Sequence, residues 1–362
     1  MFKGKICISR IDKIGDMILT LPVIKSVKIQ NPSLEIHILA SAYNAKVLKH
    51  VKYVDKVLLI GSNTRSFIKE IGQLRKIKYD FFINFSPNIK SFILCFFSKS
   101  QKKATLILLS RYRNNFFSKA LLRIFTKIFC HFQYVVNRFE RLGKNQELHQ
   151  TNMMFSLIEE CNIKYSQDVS IDIGLPLTKL IFYQEKTIVI HLSNKWINSF
   201  YSENNLLELI SSINNKNFKV ILTTDHSTQN KFKKIYDCYK MISGIEFRNL
   251  IERIDNNGSN KKYIQLINEA FTNSKSMQKN TIILDNLDYD SWLRVIYSSS
   301  LVITPECGCT HVAAACKTPV NIIYDPNNYP EAIHKEYAPW KTKYNKFVFD
   351  ERNLHKNLIK HL

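Results

Sequence analysis

Residues 3–32, KGKICISRIDKIGDMILTLPVIKSVKIQNP, carry a strand, a loop and a helix in direct succession, and they set the expected class of fold. Residues 3–11 are a short apolar run with β-branched side chains, which predicts a β-strand. Residues 12–16 then predict a loop, and helical spacing continues to the Asn31-Pro32 break. Strands alternate with helices further along the chain, and this alternation is typical of βαβ units on a parallel sheet.

The same alternation restarts in the second half of the chain, at the strand KTIVIHLSN, residues 186–194. Residues 166–185, between the two halves, give few helix signals and predict a linker. We therefore expect an α/β protein with two facing Rossmann-like domains, 1–165 and 186–362, each with a parallel sheet. Ligands of such sheets bind beyond the carboxyl ends of the strands, so a cleft between the domains is the expected place for a site.

The chain is strongly basic, with 52 Lys and Arg against 30 Asp and Glu and a formal net charge of +22. This excess predicts an anionic partner, such as a nucleic acid, a phosphorylated ligand or an acidic membrane surface. A nucleic acid is not expected, because the sequence carries no RNA- or DNA-binding motif.

Much of the excess lies between Lys99 and Lys144, where eleven basic residues stand against one acidic residue, Glu140. Aromatic and aliphatic residues are interleaved with them, which predicts one or two amphipathic basic helices. Segment 99–144 would then dock on an anionic membrane surface, contact the phosphates of a ligand, or simply solvate one helix face.

No apolar stretch approaches the ~20 residues that a bilayer-spanning helix needs. The first residues also lack the apolar core and the cleavage site of a signal peptide. The eight cysteines follow no regular spacing, so we expect reduced thiols. Together these features predict a cytoplasmic protein.

Asp16 is the first candidate functional residue, because it follows Gly15 at the start of the predicted helix and would face the cleft. A carboxylate in this position caps the helix by accepting backbone N–H bonds, or it serves as a general base. The residues alone leave both interpretations open. Arg10 and Lys13 belong to the same loop and could hold an anionic ligand.

A second motif, LVITPECGCTHVAAACKTPVNIIYD at 301–325, predicts a strand, a turn and a helix that begins near Thr310. The free N–H groups at a helix start that is reached through Gly308 suit a diphosphate. Glu306 flanks this opening. The cysteines and histidine of the motif match no common zinc spacing, so no metal is expected: they are Cys307, Cys309, His311 and Cys316.

The two motifs resemble those of glycosyltransferase family 9, the ADP-heptose:lipopolysaccharide heptosyltransferases. RIDKIGDMILTLP at 10–22 is similar to the family's N-terminal signature, and ITPECGCTHVAAACKTPVNIIY at 303–324 to its C-terminal one. The resemblance implies a GT-B fold with an acceptor-binding N-terminal domain and a nucleotide-sugar-binding C-terminal domain. It also implies metal-independent transfer with inversion, from ADP-heptose to a lipopolysaccharide-type acceptor. We expect a monomer, peripheral at the cytoplasmic face of the inner membrane.

Carried over by position, Asp16 matches the family's catalytic aspartate, which removes the proton from the acceptor hydroxyl. Glu306 stands where the family usually has Asp, and Trp196 or Phe200 takes the place of a Trp-Pro pair. Lys195 becomes the expected clamp on the diphosphate, although a solvated loop lysine would look the same in the sequence. The remaining donor contacts that the resemblance implies are Ser193, Asn194, Asp225, Cys307, Gly308, Cys309 and His311, and the expected acceptor contacts are Arg10 and Lys13.

Two other functions stay open at this point. A different GT-B nucleotide-sugar enzyme, such as an epimerase, would turn over its donor without any acceptor. A non-catalytic basic protein would bind an anionic glycolipid with steep salt dependence and would never consume a nucleotide-sugar. No cofactor other than a nucleotide-sugar donor is expected.

Overall fold

The chain forms two compact units, Met1–Leu175 with Glu331–Trp340, and Pro176–Pro330 with Lys341–Leu362. A computed structural model describes residues 4–61, 63–109, 116–177, 179–180, 186–196, 201–224, 228–257, 280–350 and 353–362.

The first unit is built on six strands: β1 Gly4–Ser9, β2 Leu34–Ser41, β3 Lys56–Ile60, β4 Tyr79–Asn84, β5 Ser100–Leu108 and β6 Phe132–Val136. They pair in parallel in the order β3-β2-β1-β4-β5-β6. The chain builds outward from β1 in one direction through β2 and β3, and then in the other through β4 to β6. The point where it reverses, between β1 and β4, is the position at which α/β sheets bind ligands.

Helices connect these strands and cover the sheet: α1 Ile14–Gln30, α2 Thr64–Arg75, α3 Ile89–Phe97, α4 Phe116–Phe129, α5 Arg138–Gly143 and α6 Gln150–Glu160, with a 3-10 turn at Ala45–Leu48. The last four residues of β1 and all but the second and the last residue of β2 are buried, so these strands are buried on both faces rather than alternating. That pattern follows from a parallel sheet covered on both sides.

The described residues of the second unit form seven strands: β7 Thr187–Leu192, β8 Lys219–Thr224, β9 Lys240–Ser243, β10 Thr281–Asp285, β11 Leu301–Pro305, β12 Val320–Tyr324 and β13 Tyr344–Val348. They also pair in parallel, in the order β13-β12-β11-β7-β8-β10-β9. Here the chain reverses between β7 and β11, which is the corresponding binding position of this sheet.

Further helices in the described ranges are α7 Glu203–Asn214, α8 Lys233–Cys238, α9 Gly244–Asn257, α10 Tyr289–Ser298, α11 Gly308–Ala315, α12 Pro330–Tyr337 and α13 Leu354–Lys360, with a 3-10 turn at Gln229–Lys231. The α/β class with two parallel sheets that the sequence predicts is thereby confirmed.

Segment 99–144 differs from its prediction, because two strands, β5 and β6, lie where only amphipathic helices were expected. The apolar run from Ala104 to Leu108 is buried in the sheet, whereas Lys102 at the strand's beginning is exposed. The basic residues around this run therefore concealed a strand that is internal to the sheet. Helices α4 and α5 account for the rest of the prediction.

The described part of the predicted linker, 166–177 and 179–180, contains neither helix nor strand. Its part up to Leu175 is nevertheless fixed on the first unit, since Lys25 pairs with Asp172 at 2.6 Å and the Tyr53 hydroxyl donates to the Asp172 carbonyl at 2.7 Å. Gly174 has a φ of +69°, and a Cβ there would lie 1.9 Å from the His50 carbonyl oxygen. Only glycine fits both the backbone conformation and this close approach.

Residues 331–340 pack with the first unit although they lie far beyond the linker. Glu336 is buried there and accepts hydrogen bonds from Arg138 and, at 2.9 Å, from the Gln150 side-chain amide. The Trp340 indole donates to the Val169 carbonyl at 2.8 Å, and its ring lies 5.1 Å from that of His149. A returning segment of this kind leaves no local signal in the sequence.

His149 should make the stability of the first unit depend on pH. Its Nδ1 accepts from the Thr151 N–H at 3.2 Å and its Nε2 donates to the Ala338 carbonyl at 2.9 Å, so the buried ring is neutral. Burial lowers the pKa of His149. In the unfolded chain the ring binds a proton below about pH 6.5, and in the folded chain it does not. Stability is therefore present above that pH and lost as the pH falls.

The expected loss is up to about 1.4 kcal/mol for each pH unit between the unfolded and folded pKa values. Chemical denaturation at neutral and mildly acidic pH should show a smaller acid loss in His149→Gln than in the unaltered protein. The matched control is His131→Gln, since His131 is exposed. An identical pH dependence in His149→Gln and in the unaltered protein would contradict the prediction.

Candidate functional site

Arg10, which is buried, and Asp16, which is mostly buried, form an ion pair at the reversal point of the first sheet. Arg10 follows β1 and is 1% exposed, and one of its terminal nitrogens donates to Asp16 Oδ1 at 2.9 Å. Another donates to the Phe85 carbonyl, just beyond β4. The second oxygen of Asp16 accepts from the Lys13 backbone N–H at 3.2 Å. Asp16 thus caps α1, and the Arg10 guanidinium also holds its carboxylate in place.

Polar side chains from neighbouring strands fix the loop between β1 and α1. The Asn88 amide donates to Asp12 at 2.8 Å, and the Ile11 N–H donates to the Ser86 hydroxyl at 2.8 Å. On the β2 side, the Asn44 amide donates to the Arg10 carbonyl at 2.8 Å. The loop therefore holds Asp16 in one place, with its side chain 13% exposed.

The two expected acceptor contacts lie in different environments. The Lys13 side chain is exposed at the start of α1, where it can meet a ligand. Arg10 is buried and directs its donors to Asp16 and Phe85. Its position suits orienting the Asp16 carboxylate better than binding a ligand directly.

Arg10→Ala should lower the free energy of unfolding by about 3 kcal/mol, because it leaves a mostly buried carboxylate without its guanidinium. Urea denaturation measures this change. The control is Lys25→Ala, which removes the partner of a half-exposed carboxylate, Asp172, and should cost about 1 kcal/mol or less. Equal losses of unfolding free energy in the two variants would mean that the Arg10–Asp16 pair stabilises the protein no more than the partly exposed Lys25–Asp172 pair does.

Lys195 and Glu306 form the corresponding pair at the reversal point of the second sheet. Lys195 comes three residues after β7, and Glu306 directly after β11, the strand beside it. The ammonium group of Lys195 donates to the Glu306 main-chain carbonyl and lies 2.5 Å from Oε2 of the Glu306 carboxylate. The Lys195 side chain is 44% exposed and that of Glu306 is 16% exposed. The lysine is therefore anchored while part of it stays open to solvent.

The loop that carries Lys195 is anchored at both ends. The Lys195 N–H donates to the Ser193 hydroxyl at 3.3 Å, and the Trp196 indole donates to the His191 carbonyl at 2.7 Å. Trp196 is fully buried in the core of the second unit, so it holds the loop rather than facing a ligand. Asn194 lies within the same turn, and Phe200 falls outside the described residues.

Helix α11 begins at Gly308, two residues before the predicted start. Cys307 precedes it as the N-cap residue, with its N–H donating to the Thr310 hydroxyl at 3.4 Å and its sulfur 3.3 Å from the Thr304 hydroxyl. In the first turn, the Thr310 N–H donates to the Cys307 carbonyl at 3.1 Å. Two further expected donor contacts, Cys309 and His311, are buried, and burial raises the pKa of the Cys309 thiol.

Asp225 lies outside the described residues, but its neighbour Thr224 belongs to a polar cluster that the sequence analysis missed. The Thr224 hydroxyl donates to Asp285 Oδ1 at 2.5 Å, and the Tyr236 hydroxyl lies 2.7 Å from the same oxygen. Asp285 ends β10 just as Thr224 ends β8. The signal was available, because Asp285 closes the apolar run TIILD as Asp225 closes KVILTTD.

Across the described residues, no group of three or more His, Cys, Asp and Glu side chains is placed to hold a metal ion. No helix in that part of the chain is both long and apolar enough to cross a membrane.

Solved structures with the same architecture cover nearly the whole chain. A glycosyl transferase of family 9 from Veillonella parvula matches with a TM-score of 0.69 at 12% identity, over 99% of this chain and 95% of that one. The E. coli heptosyltransferase WaaC with ADP gives 0.64 at 13% identity, over 99% and 98%. A UDP-GlcNAc 2-epimerase from Methanocaldococcus jannaschii gives 0.51 at 13% identity, over 100% and 92%. No protein-family model and no curated protein matches the sequence.

The chain therefore has the GT-B fold of these nucleotide-sugar enzymes. Within that class, its fold is more similar to the two transferases than to the epimerase, as the TM-scores of 0.69 and 0.64 against 0.51 indicate. The resemblance to glycosyltransferase family 9 that the two motifs suggest is confirmed at the level of the fold.

Proposed function

We propose that this protein is an inverting, metal-independent glycosyltransferase that uses a nucleotide-sugar donor. The observation that carries the proposal is the pair Lys195–Glu306 beside the start of α11 at the reversal point of the second sheet. A cation next to the N-terminus of a helix is the combination that binds a diphosphate. Asp16 at the reversal point of the first sheet supplies the carboxylate that transfer chemistry needs.

In the proposed reaction, Asp16 accepts the proton of the acceptor hydroxyl as the hydroxyl oxygen attacks the anomeric carbon of the donor. The new C–O bond forms on the face opposite the leaving group, so the configuration at that carbon inverts. The bond to the diphosphate breaks, and its electron pair leaves with the nucleoside diphosphate. Lys195 and the N–H groups at the start of α11 stabilise the negative charge that develops there.

Each pair then has an anchoring member and a reacting member. Arg10 orients Asp16 through the 2.9 Å contact, and a lone pair of the carboxylate that Arg10 and Lys13 do not use takes the acceptor proton. Glu306 holds Lys195 at 2.5 Å and also contacts the donor sugar or its nucleotide. Because Lys195 is a fixed cation, it takes the part that a metal ion has in other nucleotide-sugar enzymes.

The finer proposal is transfer of heptose from ADP-heptose to a lipopolysaccharide core or a related lipid-linked saccharide, at the cytoplasmic face of a membrane. The motifs at 10–22 and 303–324 support it through their resemblance to the heptosyltransferases. The fold likeness to WaaC, which was solved with ADP, agrees with an adenine nucleotide. Epimerisation is the alternative, and it has less support because the TM-score to the epimerase, 0.51, is lower than the scores to the two transferases.

Thermal unfolding in the presence of ADP-, UDP-, GDP- and CMP-linked sugars tests the donor. A ligand that binds only the folded chain stabilises it by about 2.7 kcal/mol at a hundred times its Kd. We expect stabilisation by ADP-heptose. Stabilisation by another nucleotide-sugar alone would keep the reaction and change the substrate, whereas no stabilisation by any member would overturn the proposed donor site. Turnover of a donor without acceptor would indicate an epimerase instead.

A further inference from the structure

The outward face of α4 combines exposed isoleucines with exposed cations. Ile124 is 57% exposed and Ile128 is 68% exposed, and Arg123 and Lys127, each one residue earlier, are exposed as well. At 100° per residue, positions 124 and 128 form one stripe along the helix, and positions 123 and 127 form a second stripe beside it. The outward face of a surface helix ordinarily carries polar residues, whereas this one carries two isoleucines beside two cations.

The apolar stripe continues onto the end of α3. Phe125 and Phe129 lie next to the isoleucines around the helix, and their rings pack on Phe96 at 5.6 and 4.4 Å. Phe96 in turn packs on Phe97 at 4.8 Å, and Phe97 is 41% exposed. We call the resulting surface the α3–α4 face; its exposed members are Phe97, Arg123, Ile124, Lys127 and Ile128.

The charged residues of α3 and α4 themselves are all positive. Neither α3 nor α4 contains an acidic residue, whereas Lys90, Arg123 and Lys127 are exposed on them. The whole of segment 99–144 has eleven basic residues and one acidic residue. An apolar strip with cations along its border is complementary to a phospholipid surface, where acyl chains lie beneath anionic headgroups.

We propose that the α3–α4 face docks on an anionic phospholipid surface. Ile124, Ile128 and Phe97 enter the boundary between headgroups and acyl chains, while Arg123 and Lys127 meet the phosphates. This inference does not rest on the proposed transfer reaction. If both hold, docking keeps the unit that carries Asp16 at the surface where a lipid-linked acceptor lies.

Co-sedimentation with vesicles tests the proposal. The full-length protein should bind vesicles of phosphatidylcholine mixed with phosphatidylglycerol and should bind pure phosphatidylcholine at least about tenfold more weakly, since each cation near an anionic surface contributes to binding. The double variants Ile124→Ser/Ile128→Ser and Arg123→Glu/Lys127→Glu should each weaken binding to the mixed vesicles by about tenfold or more. All four positions are exposed, so folding should be unaffected, and thermal unfolding checks this.

Matched controls lie on the second unit. Lys356→Glu/Lys360→Glu on α13 makes the same change in net charge at two exposed lysines four residues apart, and Ile245→Ser removes an isoleucine that is 73% exposed. Both controls should keep vesicle binding. Equal losses in Lys356→Glu/Lys360→Glu and Arg123→Glu/Lys127→Glu would mean that diffuse charge alone binds the vesicle, and would overturn the proposal. A change from dimer to monomer in Ile124→Ser/Ile128→Ser, with vesicle binding intact, would also overturn the proposal, because a second copy of the chain would then cover the α3–α4 face.

A failure here is separable from a failure of the proposed function. Stabilisation by nucleotide-sugars is measured without vesicles and should be the same in the α3–α4 face variants as in the unaltered protein. Vesicle binding is measured without any nucleotide-sugar.

Discussion

Asp16→Asn is expected to lower the rate of sugar transfer by a factor of about 10² to 10⁴ while donor affinity stays within about twofold, because the contribution of a general base is lost and binding is not. Asparagine has the shape of aspartate, and its one amide oxygen can still accept from the Lys13 N–H, so the cap of α1 should survive although the ion pair with Arg10 is lost. The measurements are nucleoside diphosphate release with acceptor present and donor titration without it.

The control for Asp16→Asn is Asp172→Asn. It neutralises a carboxylate of the first unit that is paired with Lys25, and it should leave transfer unchanged. If Asp16→Asn lost transfer and donor affinity in equal measure, Asp16 would be a structural cap. Full activity in Asp16→Asn would exclude it as the base.

Lys195→Ala should weaken donor binding by roughly 10- to 100-fold, since a hydrogen bond from a charged donor contributes about 1.5–3 kcal/mol. It should also slow transfer further, because the charge that develops on the leaving diphosphate loses its cation. The change leaves the Glu306 carboxylate, 16% exposed, facing the bound phosphates without its ammonium partner. Competition titration with the nucleoside diphosphate measures the affinity.

Lys195→Arg and Lys195→Ala/Glu306→Gln refine this second prediction. Arginine keeps the charge and should retain part of the affinity, whereas the double variant should bind better than Lys195→Ala because the repelling carboxylate is gone. Lys356→Ala, an exposed lysine of the same unit, is the control and should have no effect. Unchanged affinity in Lys195→Ala would mean that Lys195 is an ordinary solvated loop residue.

The sequence predicts well those elements whose signal is local. The strand expected at the restart of the alternation is β7, and the apolar run beginning at residue 301 is β11, followed by α11. Both runs are short, rich in β-branched residues and bounded by loop residues, and these three features identify them as strands. The same holds for β1 and α1, and for Asp16 at the start of that helix.

Features that depend on distant partners could not be predicted from the sequence. Lys195 and Glu306 are 111 residues apart, and only the pairing of β7 with β11 brings them together. The buried position of Arg10 follows from its contact with Phe85, which is set by the register of β1 against β4. In segment 99–144, the basic residues hid the signal of β5. This strand forms because its second half is buried in the sheet, although its first half is polar.

The most direct test of the proposed function uses the donor that stabilises the folded protein, with and without a lipid-linked saccharide acceptor. We expect nucleoside diphosphate to appear only when the acceptor is present, with a glycosylated product whose anomeric configuration, read by NMR, is inverted relative to the donor. Release that needs no acceptor, or a product that retains the donor's configuration, would contradict the proposal.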